Sequence, residues 1–383
     1  MTLLDSASAL TVAELQQHFD PRPGYLSACM VGIPPRETVS ALAADLSAWA
    51  EGHRDPGSYG IAVERARTAY ARLVGVPVGW VATGSQVSAT AGVVAASLPD
   101  GAEVLVAEGD FSSMVYPFLV QEQLGRITVR CVPLEQLEAG IRSSTTLVAF
   151  SLVQSATGAV ADDAAVRAAA ERHGAATFCD TTQACGWMPV DASLYDMTVC
   201  HTYKWLCAPR GACLTTVRPE YLAQLEPVLA GWYAGGDVWA SCYGPSMQLA
   251  TDARRLDLSP AWPVWVGAAS SLELFASADL GAVREHCVGL AEDLRSRLRA
   301  SGVVVNGSDG SASDGSASDG SASDDSAMAD SAIVTWPDAD GTAIAALTAA
   351  GIAASARSGR CRVAFHVWNT AADVELVTAA LGS

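Results

Sequence analysis

From about residue 60 to 217 the chain alternates short apolar runs, such as "EVLVAE", "TTLVAFSL" and "AATFCD", with helical stretches such as "AVRAAAERHGAA", joined by brief Gly-containing connections. Neighbouring parallel strands cannot be linked by tight hairpins and need crossover segments, which helices supply. The alternation therefore predicts an α/β fold on a mostly parallel sheet. A helix in "TVAELQQHF", an extended Pro- and Gly-punctuated stretch and a second helix, "RETVSALAADLSAWAEG", precede it. A long helix begins at "SPAWPVWVGAASSLELF", and the remainder alternates helix, strand and helix as a small α+β domain does. With 383 residues there is chain for both units. The large domain is expected over 20–260 and the small one over 261–383 together with 1–19.

Composition narrows the function classes. A formal charge of −18 with no basic stripe opposes any polyanion, so nucleic acid is not an expected partner. Ten cysteines scattered through apolar strands of a chain this size read as reduced thiols, not as a disulfide framework. The N-terminus has no basic leader, and no run reaches the roughly 18 apolar residues of a membrane span. A cytoplasmic protein with no membrane partner is expected. Residues 307–330 repeat a Ser/Asp/Gly/Ala pentad with Asp309, Asp314, Asp319 and Asp324 in phase. Such pentads bury too little apolar surface to offset chain entropy, so a disordered loop is expected. A calcium-binding loop would need converging carboxylates with aliphatic spacers, and no metal site is expected.

Two strand ends carry the chemistry. "AATFCD" ends in Asp180, and "DMTVCHTYK" ends beside Lys204, set between Tyr203 and Trp205. Open α/β sheets bind ligands at the carboxyl ends of their strands, so a carboxylate and an amine are aimed at one crevice. An amine desolvated among aromatic side chains has a lowered pKa, and the neutral amine is the nucleophile of Schiff-base chemistry. A carboxylate facing a pyridine nitrogen keeps that ring protonated and electron-withdrawing. Together the two point to pyridoxal 5'-phosphate (PLP).

Asp180, Gln183, Gly186 and Lys204 match the D-x-x-(Q/H)-x-x-G…K pattern of the class V aminotransferase family, fold type I PLP enzymes that include kynureninase, cysteine desulfurases and the ergothioneine-type carbon–sulfur lyase. The resemblance implies that Asp180 holds the ring nitrogen, Gln183 reaches the ring hydroxyl or the aldimine region and Lys204 bonds the cofactor. It implies phosphate contacts from Ser85 and Gln86 in "VATGSQVSAT" and from His201 and Tyr203, and a stacking ring in Phe111. It places Gln154 or Ser155 near the ring hydroxyl, the register being open by one residue. Arg362 in "CRVAFHVWNT" would bind the substrate α-carboxylate, and Ser259 would donate to the phosphate of a neighbouring subunit in a homodimer.

The reaction expected by resemblance acts on an amino acid, as a carbon–sulfur or β-lyase before an aminotransferase. A homologue that keeps the fold without turnover is the reading of another class. A persulfide-forming desulfurase is disfavoured. The one thiol near Arg362, Cys361, should face the opposite side of an alternating strand. Trp232 is read either as a wall for an apolar substrate group or as core.

Overall fold

A computed structural model describes residues 9–305 and 331–382; the repeat at 307–330 lies outside them. The strands of the larger sheet are β1 (Val81–Gly84), β2 (Glu103–Ala107), β3 (Thr128–Val132), β4 (Thr145–Ser151), β5 (Ala176–Asp180), β6 (Met197–His201) and β7 (Cys213–Val217). Those of the smaller sheet are β8 (Ile333–Pro337), β9 (Ser355–Arg357) and β10 (Arg360–Ala364). The helices before β5 are α1 (Val12–Gln16), α2 (Arg36–Ala50), α3 (Pro56–Leu73), α4 (Val87–Ser97), α5 (Ser112–Gln123), α6 (Leu137–Gly140) and α7 (Asp163–His173). After β7 come α8 (Pro219–Leu222), α9 (Trp262–Phe275), α10 (Leu280–Ala300), α11 (Thr342–Ala349) and α12 (Ala371–Leu381).

Local sequence sets many of these boundaries. Asp55 accepts the Gly57 and Ser58 amides and Pro56 opens α3, an N-terminus that needs no other cap. Asp162 caps α7, and Gly174 ends it at a φ of 72°, where a side chain would be strained. Thr370 and Asp373 close α12 with a reciprocal capping box.

The seven strands run in the order β1-β7-β6-β5-β4-β2-β3. All are parallel except β7, which pairs antiparallel with both β1 and β6. This is the mostly parallel α/β sheet expected from the alternation. Period-two burial divides its side chains between two cores: Val104, Val106, Leu147, Ala149, Phe178 and Val199 on one face, and Leu105, Val148, Phe150, Cys179 and Cys200 on the other. The carboxyl ends of β1, β2, β4, β5 and β6 consequently open on one edge.

The smaller sheet, in the order β8-β10-β9, is antiparallel and has its own core, which includes Cys361, Val363, Leu347 and Val374. Two segments cross the expected division at residue 260. Helix α9, expected with the small domain, packs on α2 and α3. The Tyr25–Ser27 stretch, expected with the large one, bridges in parallel to Ala353 and Ala364 beside the small sheet. All ten cysteines are free thiols. Among the described residues no helix is long and apolar enough to cross a membrane.

Candidate active site

The turn after β6 is held from four sides. The Gly32 amide donates to the Tyr203 carbonyl at 2.9 Å, and a Cβ at Gly32 would collide with the Lys204 carbonyl. Gly186 has a φ of 114° and passes so close to the Trp205 carbonyl that no side chain fits there. The same carbonyl accepts His366 Nε2–H at 2.8 Å, because His366 Nδ1 already accepts the Val367 amide. Burial holds the His366 pKa down to about 3, so the ring stays neutral, stacked on Trp368 at 4.2 Å. Finally, Trp205 Nε1 donates to Gln183 Oε1 at 2.7 Å. Lys204 thus sits on a turn clamped by the D-x-x-Q-x-x-G segment, by the loop at Gly32 and by the chain just past β10.

Lys204 is buried, and burial lowers its pKa to about 8 against the partial support of the Asp180 charge. Asp180 is also buried; its Oδ1 accepts the Thr182 amide at 2.8 Å, and desolvation raises its pKa. Among the described residues Lys204 Nζ has no hydrogen-bond partner; it lies 5.5 Å from the Phe111 ring centre. Phe111 is 49% exposed, an apolar face left uncovered where it borders the cleft. The cleft, about 560 Å³ when the space open to solvent at its mouth is counted, is walled by Phe111, Ser155, Asp180, Gln183, Tyr203 and Lys204, with Gln86, His201 and Arg210 also on its lining. A flat, partly charged ligand fits such a space.

Of the residues singled out in the sequence, Gln86, Phe111, Asp180, Gln183, His201, Tyr203 and Lys204 meet in this cleft. Of the pair at 154–155, Ser155 lines the cleft, while Gln154 points away and donates to the Glu108 carbonyl and to Asp110. Arg362 is buried directly behind the wall, where its Nε donates to Ser355 Oγ at 3.0 Å and its Nη1 to the Ser155 carbonyl. Its charge reaches Lys204, lowering that pKa. Ser85 and Ser259 are exposed and do not line the cleft. Trp232 packs on Tyr233 and Trp239, outside it. Cys361 is buried in the small-domain core and its pKa is pushed up to about 12, an unreactive thiol.

Three participants escaped the sequence reading. Asp110, three residues past the end of β2, accepts the Ser151 amide at 2.8 Å and the Gln154 amide at 3.1 Å, tying the Phe111 turn to the Ser151–Ser155 wall. Burial raises its pKa to about 7. The signal was present in "EGDF", a carboxylate in the short turn after a buried strand and directly before Phe111. His366 had no local signal, since its partner is 161 residues away. Arg210 stood in "LCAPRGA", next to the turn glycine.

A family model described as aminotransferase class-V matches residues 46–377. A kynureninase of Deinococcus radiodurans is 28% identical over 239 residues, which are 60% of this chain and 57% of the relative. A probable cysteine desulfurase of Aeropyrum pernix is 33% identical over 148 residues, 36% of this chain and 35% of the relative. The chain therefore spans little more than half of the first relative's length and about a third of the second's. The cysteine desulfurase CsdA of Escherichia coli superposes with a TM-score of 0.80 at 19% identity, covering 98% of both chains, which establishes the shared fold type I architecture. With the sheet order, the clamped lysine and a family match that runs across both sheets, the chain belongs to the class-V aminotransferase family.

Proposed function

We propose that this protein is a PLP-dependent enzyme acting on an amino acid, and that it breaks a bond at the substrate's β-carbon as a carbon–sulfur or β-lyase. One observation carries the reading: a single buried amine with a pKa of about 8 shares a cleft with a buried carboxylate and an uncovered aromatic face. The residues fit PLP. Asp180 is a buried carboxylate for which a cationic ring N–H is a favourable neighbour. Phe111 offers the apolar face on which a ring can stack. Bound there, PLP supplies an electron sink for bonds broken at the substrate's α-carbon.

The chain's own groups supply the rest. Lys204, unprotonated in an appreciable fraction at neutral pH, is placed to bond the cofactor and then to accept the α-proton on Nζ. Asp180 retains the proton on the ring nitrogen. Arg362, two residues before the end of β10 and behind the cleft wall, is the cation assigned to the α-carboxylate, and a bidentate contact would require its guanidinium to exchange the Ser155 and Ser355 partners for the substrate. Phe111 and Tyr203 limit water at the cleft. The kynureninase and desulfurase relatives favour lyase chemistry over transamination. The inert setting of Cys361 speaks against a persulfide carried on that residue.

The same reading includes a cytoplasmic homodimer. It is supported by ten free thiols and by the exposed apolar side chains of Trp239, Tyr243 and Met247.

The test is to load the full chain with PLP, reduce with borohydride and map the label, then assay cysteine S-conjugates and plain amino acids for pyruvate, ammonia and keto acids. A label on Lys204 with pyruvate and ammonia from S-conjugates supports the lyase. Keto acid without ammonia makes the protein an aminotransferase, and a protein that stays colourless and unlabelled overturns the cofactor reading. Asp180→Asn should keep the label and lose most of the turnover.

A further inference from the structure

We propose that Arg210, on the turn after Lys204, supplies the positive charge that holds the cofactor's phosphate; the inference rests on the PLP reading above. The groups that resemblance assigns to the phosphate are short of charge. Ser85, Gln86 and Tyr203 are neutral side chains. His201 is buried, and its Nε2 accepts the Gly211 amide at 3.4 Å, which puts the single proton of a neutral ring on Nδ1. Burial and the nearby cations hold its pKa down to about 4, consistent with that tautomer.

A phosphate monoester carries between one and two negative charges near neutral pH. It would enter a cleft that already holds Asp180, in a chain of net charge −18. Besides Lys204, which is committed to bonding the cofactor, Arg210 is the cation on the cleft lining. Its guanidinium carbon is 5.4 Å from the Tyr203 ring centre, and its charge is felt at both His201 and Tyr203. It is exposed at the cleft and, among the described residues, has no carboxylate partner. Arg65 and Arg142, also exposed, are paired with Glu273 and Glu103.

The turn presents Arg210 rigidly. The Thr202 amide and hydroxyl both donate to the Ala212 carbonyl, at 3.1 and 2.8 Å, and the Ala208 amide donates to the Thr202 carbonyl at 3.2 Å. Pro209 is seated against Gly267 of α9, where a Cβ would collide with its ring. A guanidinium carried on this held backbone, beside the Tyr203 ring, suits the forked geometry of phosphate oxygens.

The experiment compares the affinities of the apoprotein for PLP and for pyridoxal, which lacks the phosphate, by absorbance titration of wild type, Arg210→Gln and Arg210→Lys. Arg210→Gln should weaken PLP about 10–100-fold and leave pyridoxal within about twofold, with Arg210→Lys between. Unchanged PLP affinity in Arg210→Gln overturns the inference and leaves the cofactor reading intact. Equal loss for both ligands assigns Arg210 a structural role instead. If Arg210→Gln does not fold, the lysine variant decides: an unaltered PLP-to-pyridoxal preference there, at high and low salt alike, overturns the geometric part of the claim. A wild-type protein that binds neither ligand removes the cofactor reading and this inference together.

Discussion

Trp205 Nε1 donates a 2.7 Å hydrogen bond to Gln183 Oε1, while Gln183 Nε2 donates to the Cys29 carbonyl at 3.1 Å. The residue after the lysine is thereby locked to the motif that carries the carboxylate. Both ends of the Gln183 amide are engaged in building the cleft, although the side chain also lines it. Asp180, Gln183, Gly186 and Lys204 therefore behave as one packed unit with a single geometry.

Gln183→Leu should destabilise the protein, because it leaves the buried indole N–H and the Cys29 carbonyl without this partner. Each unpaired group costs roughly 1–3 kcal/mol. Urea unfolding of the apoprotein measures it; a midpoint equal to wild type would show that the amide does not clamp the turn.

Lys204, the one lysine of the sequence, should react at a pH where an ordinary lysine amine does not. With a pKa of about 8 it is unprotonated in about one molecule in ten at pH 7, against about one in three thousand for an amine at 10.5. The rate of labelling by PLP, followed by absorbance, should rise with an apparent pKa near 8 and be absent in Lys204→Ala. A profile still climbing at pH 10 would mean that the amine is not desolvated.

Asp110 gives the folded chain a pH dependence of definite sign. It keeps its proton up to about pH 7 when folded and loses it near 3.8 when unfolded. Between these values folding takes up a proton, so this group's contribution to stability falls as pH rises. The stability difference between Asp110→Asn and wild type should shift in favour of the variant by up to about 4 kcal/mol from pH 4 to pH 8. Denaturant unfolding at both pH values checks it, and a constant difference would place the carboxylate in a solvated setting.

Arg362→Ala should spare cofactor binding and reduce kcat/KM for amino acids by an amount equivalent to roughly 2–5 kcal/mol, the cost of losing one partner of a desolvated charged pair. An amine lacking the carboxylate should be little affected. Equal losses for both substrates would show that Arg362 serves the fold through Ser355 and Ser155.

The parts of this protein legible in the sequence are those set by local chemistry. Alternating apolar runs and helices specify a mostly parallel sheet, and a strand that terminates in Asp180, or that leads into Lys204, delivers its side chain to the carboxyl edge whatever else the chain does. Caps at Asp55, Asp162 and Thr370 are equally local. Resemblance added Phe111, which borders the cleft, and Arg362, which lies buried behind its wall. What tertiary structure alone decided depends on contacts between residues far apart in the chain. His366 reaches the Trp205 carbonyl across 161 positions, Gln183 is engaged by Cys29 from 154 away, and Asp110 selects Ser155 over Gln154 for the cleft by drawing the glutamine to itself from 44 away. Helix α9 joins the large domain because α2 and α3 present the face it needs. A side chain's partners at such separations follow from how the layers pack, and no local pattern of residues encodes which carbonyl a histidine will meet.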